Sequence, residues 1–127
     1  MIDHNNFEIN EVWVVFKLNE SSFPTAEGLV DIYALMDAGS GYIFGHAHSM
    51  NSSIPEKSQI EELFSKAWKT QNDWANKLIF NEETEIINLF KECATANGIA
   101  TEYYSVSKLR NITNDPKKAF AKTVFNS

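Results

Sequence analysis

The sequence is poor in cysteine, in proline and in basic residues. Its 127 residues include one cysteine, three prolines and five glycines, and 17 acidic residues outnumber 11 basic ones. A single cysteine cannot form an internal disulfide, which excludes a disulfide-stabilised scaffold and fits a reducing cytoplasm. The net charge of −6 argues against affinity gained by neutralising phosphates. We therefore expect neither a nucleic-acid partner nor binding to an anionic membrane surface.

A long hydrophobic run is also missing. No stretch approaches the roughly 20 apolar residues of a membrane span, and the first residues have neither the positive charge nor the apolar core of a secretory signal. We therefore expect a cytoplasmic protein that does not contact the membrane. Because 43% of the residues are apolar, the chain can bury one hydrophobic core. This predicts a single domain over residues 10–125, preceded by an N-terminal arm over residues 1–9.

The hydrophobic pattern changes its period near the middle of the chain. Before that point, β-branched and aromatic residues predict a meander of three strands, over residues 11–18, 30–36 and 42–48. After it, helical spacing predicts a first helix from a Ser58–Glu61 capping box, and a second helix that Asn81 caps. Short strands are predicted over residues 77–80 and 99–104. A last helix is predicted to begin at Asn114-Asp115-Pro116, after a short helical turn over residues 105–112.

The predicted order of elements is β-β-β-α-β-α-β-α. Strands that a helix connects pair in parallel through a right-handed crossover. The five strands then form a mixed sheet in the order 3-2-1-4-5, with helices on both faces. This α/β arrangement, an α+β mixed sheet, resembles the ribonuclease H-like architecture.

A local motif in the predicted hairpin adds to this resemblance. Residues 37–45 read Asp-Ala-Gly-Ser-Gly-Tyr-Ile-Phe-Gly, which resembles the turn in integrase and transposase catalytic cores that reads Asp, two residues, Ser, Arg, one residue, Ile, Val, Gly. The matching positions are Asp37, Ser40, Ile43 and Gly45. Phe44 conservatively replaces Val, and Gly41 stands where the family usually has Arg. In that family these positions build the turn and take no part in the chemistry.

The same resemblance implies a catalytic centre, whose carboxylates are missing here. The family needs acids at the centre of the sheet, because two divalent metals must hold the reacting phosphodiester. The first acid would fall within Val14-Val-Phe-Lys17, which contains a lysine and no acid. The second would fall at Asn81, since Glu82 is expected to point to solvent, and the third on the last helix, where Asp115 is interpreted as a cap. We therefore expect a non-catalytic binding or assembly module without a cofactor.

Two histidines leave an alternative open. His46 and His48 lie two positions apart on a strand, so both side chains project from the same face. Asp31 or Asp37 is the candidate third ligand. The alternative is thus a metal-dependent enzyme, hydrolase- or nuclease-like, with a displaced metal site. No fourth ligand has recognisable spacing, so a polar, half-exposed strand face is the simpler interpretation.

Most aromatic residues fall on predicted buried faces, Trp68 among them, whereas the pattern leaves the placement of Trp74, Tyr103 and Tyr104 open. Adjacent tyrosines on a strand place one ring on each face. These three residues either pack under the neighbouring helices or form an exposed patch at the sheet edge. Such a patch would serve a protein partner or a second copy of the chain. Cys93 lies on the apolar stripe of its helix, which predicts a buried thiol.

Overall fold

The computed structural model describes residues 2–19, 21–51 and 53–125. A short 3-10 turn at His4–Asn6 precedes the sheet and the helices. The strands are β1 (Val12–Lys17), β2 (Phe23–Thr25), β3 (Gly28–Asp37), β4 (Ile43–Met50), β5 (Lys77–Phe80) and β6 (Ala100–Tyr103). The helices are α1 (Lys57–Gln71), α2 (Glu85–Ala96) and α3 (Val106–Phe125). Among the described residues, no helix is both long enough and apolar enough to cross a membrane.

All the strands belong to one mixed sheet. β3 pairs antiparallel with β1 and with β4, while β5 pairs in parallel with both β1 and β6. β2 pairs with the beginning of β3, where Phe23 lies opposite Val30. Because β4 occupies the other edge of β3 at Val30, β2 continues along the edge that β1 uses. The mixed α/β class is confirmed.

The predicted number of five strands was wrong, because β2 adds a sixth. Residues 19–28 contain two serines, Pro24 and Gly28, which predicted a loop. Three of these residues nevertheless pair with β3, and Pro24 lies opposite Leu29. Proline is tolerated in a short edge strand, and three residues are too few to show an alternating pattern.

β1 is buried on both faces because helices cover both sides of the sheet. Trp13 and Val15 lie in the core that α1 and α2 cover. Val14 and Phe16 lie in the second core, together with Leu109 of α3. This alternation follows the period of two in a strand, and it explains why the run has no polar face.

The helix starts differ from the predicted ones. α1 has Glu56 as its N-cap, without a side-chain hydrogen bond, so the predicted capping box at Ser58 is wrong. α2 is capped by Thr84, whose Oγ1 accepts a hydrogen bond from the backbone N–H of Ile87 at 3.2 Å. Both Asn81 and Thr84 are good N-cap residues, so the sequence alone does not separate them. Asn81 instead lies buried at the end of β5.

α3 is one continuous helix, and the predicted break before Pro116 was wrong. Pro116 lies inside the helix, where it removes one backbone hydrogen bond. Leu109 and Ile112 are fully buried and Phe120 packs against the same core. Because these three lie at helical spacing on both sides of the proline, their common packing keeps the helix intact.

Residues 2–9 contact the domain. The ring Nδ1 of His4 lies 2.6 Å from the carbonyl oxygen of Ala38, and the backbone N–H of Ile2 donates to Lys108 O at 3.4 Å. Ile2 and Phe7 pack against the core on the α3 side. The segment predicted as an arm is therefore held at both the hairpin and α3.

Gly98 follows the C-cap of α2 with a φ of +74°. A Cβ there would meet no atom within 4 Å, so the substitution Gly98→Ala adds backbone strain and no clash. We expect it to lower the free energy of unfolding by about 1–2 kcal/mol, the usual cost of a left-handed non-glycine residue. Urea unfolding measures this value. A much larger loss would mean that the turn has a steric role that this geometry does not show.

Candidate functional site

The site that the resemblance implies lies at the carboxyl ends of β1 and β5. These strands run in parallel, with Val15 opposite Phe80. Lys17 ends β1 and Asn81 follows β5. The middle of β1 is fully buried among apolar side chains, so the first catalytic position offers no oxygen ligand from a side chain.

The charge at the end of β1 is paired within the protein. Lys17 Nζ lies 3.5 Å from Asp31 Oδ1 on β3. The same oxygen accepts hydrogen bonds from Ser22 Oγ at 2.7 Å and from Asn19 Nδ2 at 3.1 Å. Asn19 also accepts from the backbone N–H of Ile32. Asp31, which is 8% exposed, thus connects the end of β1 and the segment that follows it to β3.

Tyr33 and Glu82 complete the polar surroundings of this position. Burial raises the pKa of Tyr33 to about 12, and the negative charges of Glu82 and Asp31 add to the effect. The phenol therefore stays protonated at neutral pH. Glu82 Oε1 is buried and has no hydrogen-bond partner among the described residues. The expectation that Glu82 points to solvent was wrong, because the residue precedes α2 instead of lying in its first turn.

The third implied catalytic position, on the last helix, also lacks, in the described part of the chain, a carboxylate placed to hold a metal. Asp115 lies within α3 and is exposed, so its interpretation as a helix cap was wrong. The continuous helix leaves no free backbone N–H groups at that point for a cap to accept. Across the described residues, no group of three or more His, Cys, Asp or Glu side chains has a geometry that could hold a metal ion.

The structure brings His46 and His48 to one face of β4. They lie opposite Ala34 and Ile32 of β3, whereas Asp31 lies opposite Ser49. Facing residues in an antiparallel pair share a face, so Asp31 projects from the other side of the sheet. Burial lowers the pKa of His46, and the charges of His48 and Lys66 lower it further. The two histidines are therefore neighbours without Asp31 as a third ligand.

The carboxylate of Asp37 forms its hydrogen bonds at the β3–β4 turn, so it is not free to bind a metal. It is completely buried, and its Oδ1 accepts a hydrogen bond from the backbone N–H of Asn10 at 2.8 Å. Its Oδ2 accepts from the backbone N–H of Ser40 at 3.0 Å and from Ser40 Oγ at 2.6 Å. The Asp and Ser of the hairpin motif thus build the turn, as the resemblance implies.

The two tyrosines named as a partner surface lie on opposite faces of the sheet. Tyr103 is 52% exposed and its ring lies 5.9 Å from that of Phe80, centroid to centroid. Tyr104 packs against the core on the α3 side, with Lys108 Nζ 4.1 Å from its ring centroid. Tyr103 is the last residue of β6 and Tyr104 follows it, whereas Trp74 precedes the amino end of β5. The three residues therefore do not form one continuous patch.

Trp74 lies instead in a groove that the sequence did not reveal. The groove lies between α1 and α2, has a volume of about 410 Å³, and is named here the α1/α2 groove. Its lining includes Glu61, Phe64, Trp68, Trp74, Glu92 and Cys93. Trp68 is 38% exposed, so the expectation that it belongs to the core was wrong. It lies at the edge of the apolar stripe, where helical spacing alone does not separate buried from half-open positions.

Comparison with known proteins identifies the fold and nothing finer. No protein-family model matches the chain, and no curated protein matches it in sequence. The simian T-cell lymphotropic virus intasome in complex with PP2A regulatory subunit B56 gamma is similar, with a TM-score of 0.61 and 13% identity, over 91% of this chain and 40% of the other. This chain thus spans two fifths of the length of that chain. The HTLV-2 integrase catalytic core with magnesium, in its dimeric form, has a TM-score of 0.53 and 11% identity, over 86% and 83% of the two chains. The protein therefore has a ribonuclease H-like fold, similar to that of retroviral integrase catalytic cores.

Proposed function

We propose that the protein is a non-catalytic ribonuclease H-like module that binds a protein partner or a second copy of itself. The observation that carries this proposal is the end of β1, where Lys17 pairs with Asp31 and the preceding residues are apolar. A two-metal nuclease concentrates negative charge at this place to hold its cations. A lysine there repels divalent metals, and the Asp31 oxygen that it faces is already hydrogen-bonded.

Three other features are compatible with this proposal. The net charge of −6 disfavours nucleic acid as the partner. The single cysteine, whose pKa burial raises, is compatible with a reducing cytoplasm. One of the structural neighbours is a dimeric integrase core, which makes association between copies a reasonable form of assembly for this fold.

A nuclease assay tests the proposal directly. The protein is incubated with single- and double-stranded DNA and RNA in the presence of Mg²⁺ or Mn²⁺, and we expect no cleavage above the protein-free blank. The matched variants are Glu82→Gln and Asp31→Asn, which remove two carboxylates beside the implied centre, where both act on Tyr33 and Asp31 pairs with Lys17. Cleavage by the wild type that either variant abolishes would show a working site and overturn the proposal.

A thermal-shift experiment tests the alternative metal site. A metal that binds only the folded state raises the melting temperature. We expect Mn²⁺ and Zn²⁺ to stabilise the wild type no more than the double variant His46→Ala/His48→Ala. Stabilisation of the wild type alone would instead favour the displaced metal site and an enzymatic function.

A further inference from the structure

We propose that the α1/α2 groove binds the alkylated ammonium group of a small organic cation, of the size found in choline. This inference goes beyond the proposed function and does not depend on it. The groove volume of about 410 Å³ lies within the range of small-molecule sites in proteins. Its lining combines aromatic rings with carboxylates, which is the combination that recognises such cations.

The aromatic part of the groove consists of two neighbouring indoles. The ring centroids of Trp68 and Trp74 lie 6.3 Å apart, and their planes make an angle of 50°. Both residues line the groove, so both rings are available to a cation that binds there. Tryptophan is the strongest partner of a cation among the aromatic side chains.

The indoles are held in place before any ligand arrives. Asn72 ends α1 in the left-handed conformation, and its backbone N–H donates to the carbonyl oxygen of Trp68. This turn brings Trp74 back beside the last turn of the helix. Trp74 also packs edge-on against the buried Trp13, with ring centroids 6.1 Å apart. A preformed pair of rings spends little entropy on binding.

The carboxylates make the groove negatively charged. Glu61 and Glu92 line it and are exposed, and within the described residues neither has an ion-pair partner within 4.0 Å. Lys57 also lines the groove, but it precedes Trp68 by three helical turns, roughly 16 Å along the axis of α1. Glu61 lies between them, one helical turn from Lys57, so its charge offsets that of the lysine and Glu92 keeps the groove negative.

The test is a titration with choline chloride, followed by the indole N–H signals in proton–nitrogen NMR spectra. The described chain contains three tryptophans, and Trp13 does not line the groove: its ring is completely buried and its indole N–H donates to Asn10 Oδ1 at 2.7 Å. We expect the signals of Trp68 and Trp74 to shift with a millimolar dissociation constant, and that of Trp13 to shift less, because it reaches the groove only through contacts with lining residues such as Trp74. The neutral analogue 3,3-dimethyl-1-butanol has the same shape as choline and is expected to bind much more weakly.

Variants separate the contributions of ring and charge. We expect Trp68→Leu to weaken choline binding roughly tenfold and Glu92→Gln to weaken it by a smaller factor. Glu27→Gln, at an exposed glutamate in the β2–β3 turn, removes the same charge elsewhere and should leave binding unchanged. Glu92→Gln keeps the test valid if Trp68→Leu does not fold.

Three results would overturn the inference. The first is the absence of shifts at Trp68 and Trp74, and the second is equal binding of the neutral analogue, which would make the groove a purely apolar site. The third is a shift caused by protein concentration alone, which would make it a contact between two copies. The nuclease assay is independent of all three, so failure of the groove proposal and failure of the non-catalytic proposal are distinguishable.

Discussion

Trp13→Ala is expected to lower the free energy of unfolding by about 3–5 kcal/mol, the usual cost of truncating a buried large aromatic residue. Trp13 is completely buried near the start of β1, and its ring packs edge-on against Phe44, Phe64 and Trp74 at centroid distances of 5.2, 6.0 and 6.1 Å. The truncation also leaves Asn10 Oδ1 without its indole donor. Since a domain of this size has a total stability of about 5–15 kcal/mol, the variant should be close to unfolded at 37 °C.

Urea unfolding followed by far-ultraviolet circular dichroism measures this loss without relying on tryptophan fluorescence. The matched control is Trp68→Ala, which removes the same side chain from a position that is 38% exposed. We expect the control to lose less than about 1.5 kcal/mol, because much of that ring already contacts water. Equal losses at the two positions would contradict the packing of the core on the α1 and α2 side.

Asp37→Ala is expected to lower the free energy of unfolding by about 2–4 kcal/mol. The carboxylate is buried and accepts three hydrogen bonds, from the backbone of Asn10 and from the backbone and hydroxyl of Ser40. Removing it leaves these donors without their acceptor, and hydrogen bonds to a charged acceptor are about twice as strong as neutral ones. The rate of amide hydrogen exchange should increase most in the β3–β4 turn and at Asn10.

Two milder variants calibrate this effect. Ser40→Ala removes only the hydroxyl and should cost about 1 kcal/mol. Asp37→Asn keeps an acceptor for Asn10 but turns an amide group toward the Ser40 N–H, so its loss should be intermediate. If Asp37→Ala were as stable as the wild type, the carboxylate would have no structural role, and its place in the hairpin motif would need another explanation.

The fold was predictable from the sequence where burial on both sides leaves a clear pattern. The run at Val12–Lys17 contains β-branched and aromatic residues and is covered on both faces, and Lys77–Phe80 is bounded as predicted. The continuous α3 was not predictable, because Pro116 is a strong local signal for a break and only the packing of residues on both sides of it opposes that signal.

The candidate site was also predictable only in part. The absence of an acid in β1 is visible in the sequence, as is the role of Asp37 and Ser40 in the hairpin. That Asp31 lies on the opposite face from His46 depends on the register between β3 and β4, which no local pattern encodes. The α1/α2 groove depends on the left-handed turn at Asn72, which brings together two tryptophans that have no shared periodicity.

The pairing of β1 with β5 has a consequence for how the chain folds. β3 and β4 are joined by a tight turn, so their contacts close short loops, whereas β5, the second partner of β1, lies beyond the whole of α1. Contacts between distant segments cost more loop-closure entropy and slow folding. The β1–β3–β4 meander can therefore assemble early, and the docking of β5 beside Trp13 is the step expected to limit the rate.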